Sequence, residues 1–394
     1  MPEPSDFLLP APSPEAAAHS QALAEYIAGE IAEAGNWIPF SRYMELVLYA
    51  PGLGYYAAGA RKIGSEGDFV TSPEISPIFA RCLAMQARQV MNRSVPEILE
   101  LGPGTGVLAA DLFAELKSQG AAPRKYRLLE VSADLRERQR ALIAARHPAD
   151  LGRFEWIDGI PASVGGFAIA NEVLDVMPCS LIRRAKGGNI LERGVSVTEA
   201  GFGWEDAPIA NGELRRHALS VLPPGDYEYL TEVNHAAEAL VRTLAGSLDR
   251  GLALFIDYGY ARGEYYHPQR SMGTLRCHYR HRFHNDPFFL PGLQDITAHV
   301  DFSAMARAAE SAGAEVMGYT TQAHFLISCG LAVLVSEVDP GMTLSRLKAT
   351  SAVLRLINPQ EMGEIFKVLG VARGISPPLQ GFQSARPLAL EPPE

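Results

Sequence analysis

The stretch Glu97-Ile-Leu-Glu-Leu101-Gly102-Pro-Gly104-Thr-Gly106 decides the fold. A short, mostly apolar run reads as a strand buried on both faces. It ends in a turn with three glycines, and residues 105–118 then read as a helix. Glycines let the backbone reverse tightly and let a ligand come close to it. The first turn of the following helix offers N–H groups that have no partner inside the helix.

Working downstream, residues 126–131 read as a strand, 133–146 as a helix, and 154–157 and 167–170 as strands. Strands alternating with helices predict an α/β fold built on a parallel sheet. Gly251-Leu-Ala-Leu-Phe-Ile256 reads as a further buried strand, after a helix from about Glu232 to Leu248. Residues 301–313 read as a helix, 315–320 as a strand, 322–336, 343–356 and 359–364 as helices, and 365–372 as the last strand. Upstream, Leu23, Ile27 and Ile31 lie four apart in a helix over 16–35, followed by helices at 40–48 and from Pro77 to Met91. The expected organisation is a Pro-rich flexible tail (1–15), a helical preface over the cofactor site (16–95), and a core from 96–179 and 228–394. An insertion falls at 180–227, with strands around 181–184 and 191–197, and residues 259–300 form a long lid or substrate loop.

Two cofactors fit the glycine turn and the acid Glu130, which ends the next strand and can accept both ribose hydroxyls of an adenosine. A dinucleotide prefers its third glycine three residues after the second. Here the third comes two residues on, and Glu100 precedes the turn, a pattern that resembles the first motif of class I S-adenosylmethionine-dependent methyltransferases. In that layout Asp158 and Gly159, after the third strand, hold the adenine end. Asn171-Glu-Val-Leu-Asp175 follows the fourth strand, where the transferred methyl group lies. Asp158 is also an ordinary turn former, and polar residues after an apolar strand are often only caps.

Net charge is 35 − 45 = −10, which argues against a uniformly basic nucleic-acid binder. Cys82, Cys179, Cys277 and Cys329 stand far apart, so neither a disulfide scaffold nor structural zinc is expected, and the thiols are read as buried and reduced. No metal is expected. No apolar run reaches the roughly 18 residues of a membrane span, and the acidic start disfavours a signal or transit peptide. The expected location is cytoplasmic.

Most of the chain, from about 20 to 375, resembles the MidA-type methyltransferases, which include the mitochondrial complex I assembly factor that methylates arginine on a complex I subunit. The carriers begin with Tyr49-Ala-Pro-Gly-Leu-Gly-Tyr-Tyr56, Gly67-Asp-Phe-Val-Thr-Ser-Pro-Glu-Ile-Ser76 and Glu100-Leu-Gly-Pro-Gly104. They continue through Leu129-Glu-Val-Ser132, Asn171-Glu-Val-Leu-Asp-Val-Met-Pro178 and Phe255-Ile-Asp-Tyr-Gly259. Gly273-Thr-Leu-Arg276, Asp286-Pro287 with Pro291–Phe302, and Met362–Leu369 complete them. The mitochondrial member begins its fourth-strand motif with His where this chain has Asn171. The resemblance implies a class I methyltransferase (Rossmann-like) fold, S-adenosyl-L-methionine as donor and a protein arginine as acceptor. The resemblance suggests a complex I subunit-like target; the start of the chain, which lacks a mitochondrial address, points to a bacterial relative, and a homodimer is the expected assembly.

For methyl transfer to a guanidine, acids should clamp the cation and positioning should supply most of the rate. Glu172 and Asp175 are the catalytic candidates, with His299 as a proton relay and Asp257, Arg276 and Asp301 on the substrate side. Thr71 and Ser72 would offer hydroxyls to the cofactor, in a stretch that also reads as a helix-capping turn. Residues 270–284 carry four arginines, several histidines and no acid. RNA binding and a zinc site of His278, His281 and His284 are weaker readings than a lid or a dock for an acidic protein segment. Rival functions are a methyltransferase for a small molecule or RNA, a dinucleotide oxidoreductase, and a non-catalytic assembly chaperone.

Overall fold

The computed structural model describes residues 9–58, 71–337 and 344–383. It resolves into two units: Met1–Phe69 with Asp175–Ala237 and Arg262–His299, and Val70–Leu174 with Glu238–Ala261 and Val300–Glu394.

The second unit holds the mostly parallel sheet flanked by helices that the alternation predicts. Its strands are β1 (Glu97–Leu101), β2 (Lys125–Leu129), β3 (Phe154–Ile157), β4 (Val164–Asn171), β5 (Leu248–Tyr260), β6 (Val300–Asp301), β7 (Glu315–Thr321) and β8 (Phe366–Arg373). The order is β7-β8-β5-β4-β1-β2-β3, with β6 beside the end of β5. All pairings are parallel except those of β8, which runs antiparallel to both β5 and β7. The chain steps outward one way from β1 to β2 and β3, and the other way from β4 to β5. Between β1 and β4 the order therefore reverses, and a crevice opens at the carboxyl ends of the strands.

The strands read as continuous apolar runs because helices cover the sheet. Ile98, Leu128, Phe167, Leu254 and Val368 share one core with Phe79, Leu83, Leu112 and Phe113 of the helices Pro77–Met91 and Val107–Ser118. Helix starts follow local chemistry. Ser76 Oγ accepts from the Ile78 amide before Pro77, and Ser132 Oγ accepts from Leu135 to open Ala133–Arg146.

In the first unit an antiparallel sheet runs Ile38–Pro39, Ile190–Thr198, Ser180–Arg184, Tyr229–Val233, with Gly201–Pro208 on the other side of Ile190–Thr198. The two strands expected within 180–227 are present. Glu232 does not start a helix: it lies in the strand Tyr229–Val233, which pairs antiparallel with Ser180–Arg184. The helix begins at His235, after Asn234 caps the Ala237 amide. Residues 259–300 are not structureless. Arg276–Tyr279 pairs with Arg282–His284 and with Asp295–Thr297 in a small sheet, whose strands are too short to show a period in sequence.

Other expectations shift. The first helix is Pro14–Glu33, capped by Ser13, so the tail ends earlier than residue 15, and residues 1–8 lie outside those described. The stretch 16–95 is divided between the units, with Pro77–Met91 in the sheet unit. Residues 322–336 split into Gln322–Ser328 and Leu331–Glu337 at Gly330, whose φ is +91°. Residues 359–364 form turns, with the Gly363 amide bonded to the Asn358 carbonyl. No helix among the described residues is long and apolar enough to cross a membrane.

Candidate functional site

β1 delivers the chain to Gly102, Gly104 and Gly106, with φ of +60°, +53° and +83°. Side chains other than glycine rarely adopt this region. A Cβ at Gly102 would also lie 2.8 Å from Val173 Cγ2, so the turns after β1 and β4 flank the crevice in close contact. The Thr105 hydroxyl donates to Glu74 Oε1 at 3.1 Å.

The turn is fastened to the acid that ends β2. Gln139, fully buried, donates to the Gly104 carbonyl at 2.8 Å and to Glu130 Oε2 at 3.1 Å. Its own oxygen accepts from Trp156 Nε1 at 2.8 Å. Glu130 Oε1 accepts from the Ser132 amide, and each carboxylate oxygen keeps lone-pair capacity for a ribose hydroxyl. Burial raises its pKa, against the pull of these donors. Arg136 ties the ends of β2 and β3 together by donating to the carbonyls of Glu130 and Ile157. Arg136 also pairs with Asp158 at 2.7 Å. Asp158 is almost wholly exposed, and a Cβ at Gly159 would meet nothing within 4 Å. Val131, next to the acid, is 70% exposed and offers an apolar surface of the kind an adenine needs. Glu100 is buried within β1, takes a hydrogen bond from Tyr126, and is pushed up to about 7 by burial.

At the end of β4, Glu172 takes a left-handed backbone, φ +54°. For a non-glycine residue this is strained, and such strain gathers at functional sites. Its Oε1 accepts from Asn171 Nδ2 at 3.0 Å and the Ser72 amide at 3.4 Å, and its Oε2 from the Tyr258 hydroxyl at 3.5 Å. Burial first, then the charge of Asp257, push its carboxyl up to about 8, against these donors. Asp257 Oδ2 accepts from the amides of Val173 and Leu174 at 3.1 and 2.8 Å, and Oδ1 from its neighbour Tyr258. Asp257 therefore holds the 172–174 turn in place.

Two buried acceptors are left over. Asn171 Oδ1 and Glu74 Oε2 have no hydrogen-bond partner among the described residues. Buried acceptors of this kind call for donors. The amino-acid end of S-adenosylmethionine carries an ammonium and its ribose carries hydroxyls, so the donor set fits that cofactor.

The sheet unit thus brings together Glu74, Gly102, Gly104, Glu130, Asp158, Gly159, Asn171 and Glu172 around the ends of its strands. Four sequence candidates do other work, the first being Asp257, which holds the 172–174 turn. The Ser72 hydroxyl is buried and donates to Gln322 Oε1 at 3.2 Å, so only its amide serves Glu172. Thr71 lends its carbonyl to the short helix Ser72–Ile75. Asp301 caps the helix Phe302–Ser311 through the Ala304 amide. Asp175, Arg276 and His299 belong to the other unit. There the Asp175 carbonyl accepts from Ala298, and His299 is held through its backbone by Thr274 and Tyr265. Sequence reasoning missed Gln139, Arg136, Glu74 and Tyr258. Only Glu74 had a local signal, its place in a quoted motif; the other three are recognised from long-range partners.

Residues 78–320 match a protein family described as "Putative S-adenosyl-L-methionine-dependent methyltransferase". Among curated proteins, the chain is 29% identical over 403 residues to "Protein arginine methyltransferase NDUFAF7, mitochondrial" of Danio rerio, covering 90% of this chain and 88% of that one. The Drosophila melanogaster homologue is 29% identical over 93% and 89% of the two chains. Among solved structures, a superfamily member from Burkholderia thailandensis bound to S-adenosyl-homocysteine is 47% identical, with a TM-score of 0.92 over 96% and 98% of the chains. A native structure from the same organism gives 46% and 0.90.

Proposed function

The chain belongs to this family of S-adenosyl-L-methionine-dependent methyltransferases, and from that premise we propose that it methylates an arginine of a protein acceptor. The observation that carries the reading is Glu172, a buried, strained carboxyl at the end of β4, beside the crevice of the glycine turn. When bound, S-adenosylmethionine supplies a methyl group on a sulfonium that a nitrogen lone pair can displace. Glu74 and Asn171 would take donors from its amino-acid end, and Glu130 would take its ribose hydroxyls. Glu172 in its ionised form grips the guanidinium, and the cation stabilises that charge. A carboxylate raised to about 8 is also a better base than an ordinary one, so Glu172 can take the proton that the acceptor nitrogen sheds. Asp257 positions Glu172 through the turn amides.

The names of the curated relatives support a protein arginine as acceptor. Four buried free cysteines suit a reducing compartment, and the cytoplasm is the proposed location. The test is transfer of tritiated methyl groups into a lysate lacking this protein, followed by acid hydrolysis. Label in methylarginine supports the reading. Label confined to RNA or to a small molecule refutes it.

A further inference from the structure

The hairpin Arg276–Tyr279 / Arg282–His284 carries a pattern that methyl transfer does not explain. Tyr279 pairs with Arg282, so the connection is only Arg280-His281, and both residues are left-handed, φ +49° and +59°. Two-residue turns of this kind favour Asn-Gly, and a bulky cationic pair there is strained. Strain held at a tip marks what the tip displays. One face of the hairpin is fixed inside: Cys277 is fully buried with Ile296, and the Tyr279 ring stands edge-on to Phe289 at 5.6 Å. Arg276, Arg280, His281, Arg282 and Phe283 are exposed. Two guanidinium groups are already placed, Arg276 on Asn285 Oδ1 at 3.2 Å and Arg280 on the Ala11 carbonyl at 3.1 Å and 5.2 Å from the Tyr279 ring centroid. No acid lies between Glu264 and Asp286, in a chain of net charge −10.

We propose that this hairpin docks an acidic polypeptide segment flanking the acceptor arginine. The proposal deepens the reading of a protein acceptor and rests on it. Guanidinium forks match carboxylates, and a rigid hairpin presents them at little ordering cost. A few carboxylates need only this local set of cations. RNA would need a basic track and stacking platforms, whereas the chain is acidic overall and the hairpin exposes one aromatic ring, Phe283.

The test uses the full chain at low salt with a fluorescein-labelled oligoglutamate and a labelled oligouridylate, read by anisotropy. Wild type binds the oligoglutamate. The combined variant Arg276→Glu, Arg280→Glu, Arg282→Glu weakens it by about tenfold or more, with S-adenosyl-homocysteine affinity unchanged. A second variant, Arg280→Asn with His281→Gly, relaxes the turn. It raises the melting temperature by about 2–4 °C and weakens peptide binding. Peptide affinity equal to wild type in the charge-reversed protein, tighter binding of oligouridylate, or a lowered melting temperature in the relaxed turn would each overturn the proposal. Peptide binding needs no methyl transfer. If it is lost as expected while no protein is methylated, the arginine reading fails and the docking surface stands.

Discussion

The glycine turn after β1 and the loop Gly273–Arg276 are both held by a buried polar side chain, and they differ in kind. Gln139 fastens the turn with a neutral amide, 2.8 Å from the Gly104 carbonyl. Glu232 fastens the loop with a carboxylate, 2% exposed, that accepts from the amides of Thr274 and Leu275 and the hydroxyls of Tyr265 and Thr274. A Cβ on Gly273 would lie 2.3 Å from Glu232 Oε1, so only glycine lets the loop come this close. The first device reaches across 35 residues to a turn whose own bends are set locally by three closely spaced glycines. The second organises chain segments forty residues apart, each with little structure of its own.

The comparison gives four experiments. Glu172→Gln keeps the shape and removes the charge, so turnover should fall by about 10³-fold with S-adenosyl-homocysteine still bound, measured by methyl transfer and calorimetry. Normal turnover would remove Glu172 from the chemistry. Glu232→Ala strands several buried donors and should cost about 3 kcal/mol in urea denaturation. Its affinity for S-adenosyl-homocysteine should not change, and a fall in that affinity would break the separation of the two devices. Gly102→Ala meets both a left-handed backbone and Val173, and should cost about 1–3 kcal/mol of stability and weaken S-adenosyl-homocysteine about tenfold.

The smallest effect is on pH. Glu172 and Glu100 are raised to about 8 and about 7 from an ordinary 4.5. The folded state then holds protons that the unfolded state has released. Their contribution is fully present below about pH 4.5 and lost as pH rises through 7 to 8. Melting temperatures should therefore decline over that window, and less steeply in Glu172→Gln. Activity runs the opposite way, rising toward a plateau above about pH 8 as Glu172 ionises. A flat melting profile in both proteins would contradict the assignment.

Legibility in the sequence follows the same divide. β1, β3 and the helices Pro77–Met91 and Ala133–Arg146 lie where the apolar runs and caps place them, because their signals are local. The glycine turn after β1 and the acids that end β2 and β4 could be proposed from the sequence because α/β folds put ligands at strand ends. Gln139 could not, since a glutamine in a helix acquires meaning only from Gly104 and Glu130. Ser72 and Asp301 misled for a related reason: a hydroxyl or carboxylate at a helix start looks alike whether it caps, bonds a neighbour or meets a ligand. The strand Tyr229–Val233 was lost to the helix that follows it, and the small sheet of 276–297 to the shortness of its strands.

The place of β8 bears on how the chain is made. Phe366–Arg373 slots between Leu248–Tyr260 and Glu315–Thr321 and supplies the backbone partners of both. A ribosome makes these residues after both of the strands they join. A product stopped short of residue 366 would leave one long strand edge bare and a second strand without any neighbour, an invitation to aggregate or be degraded. Truncated copies should therefore be cleared rather than persist as donor-binding proteins that cannot turn over.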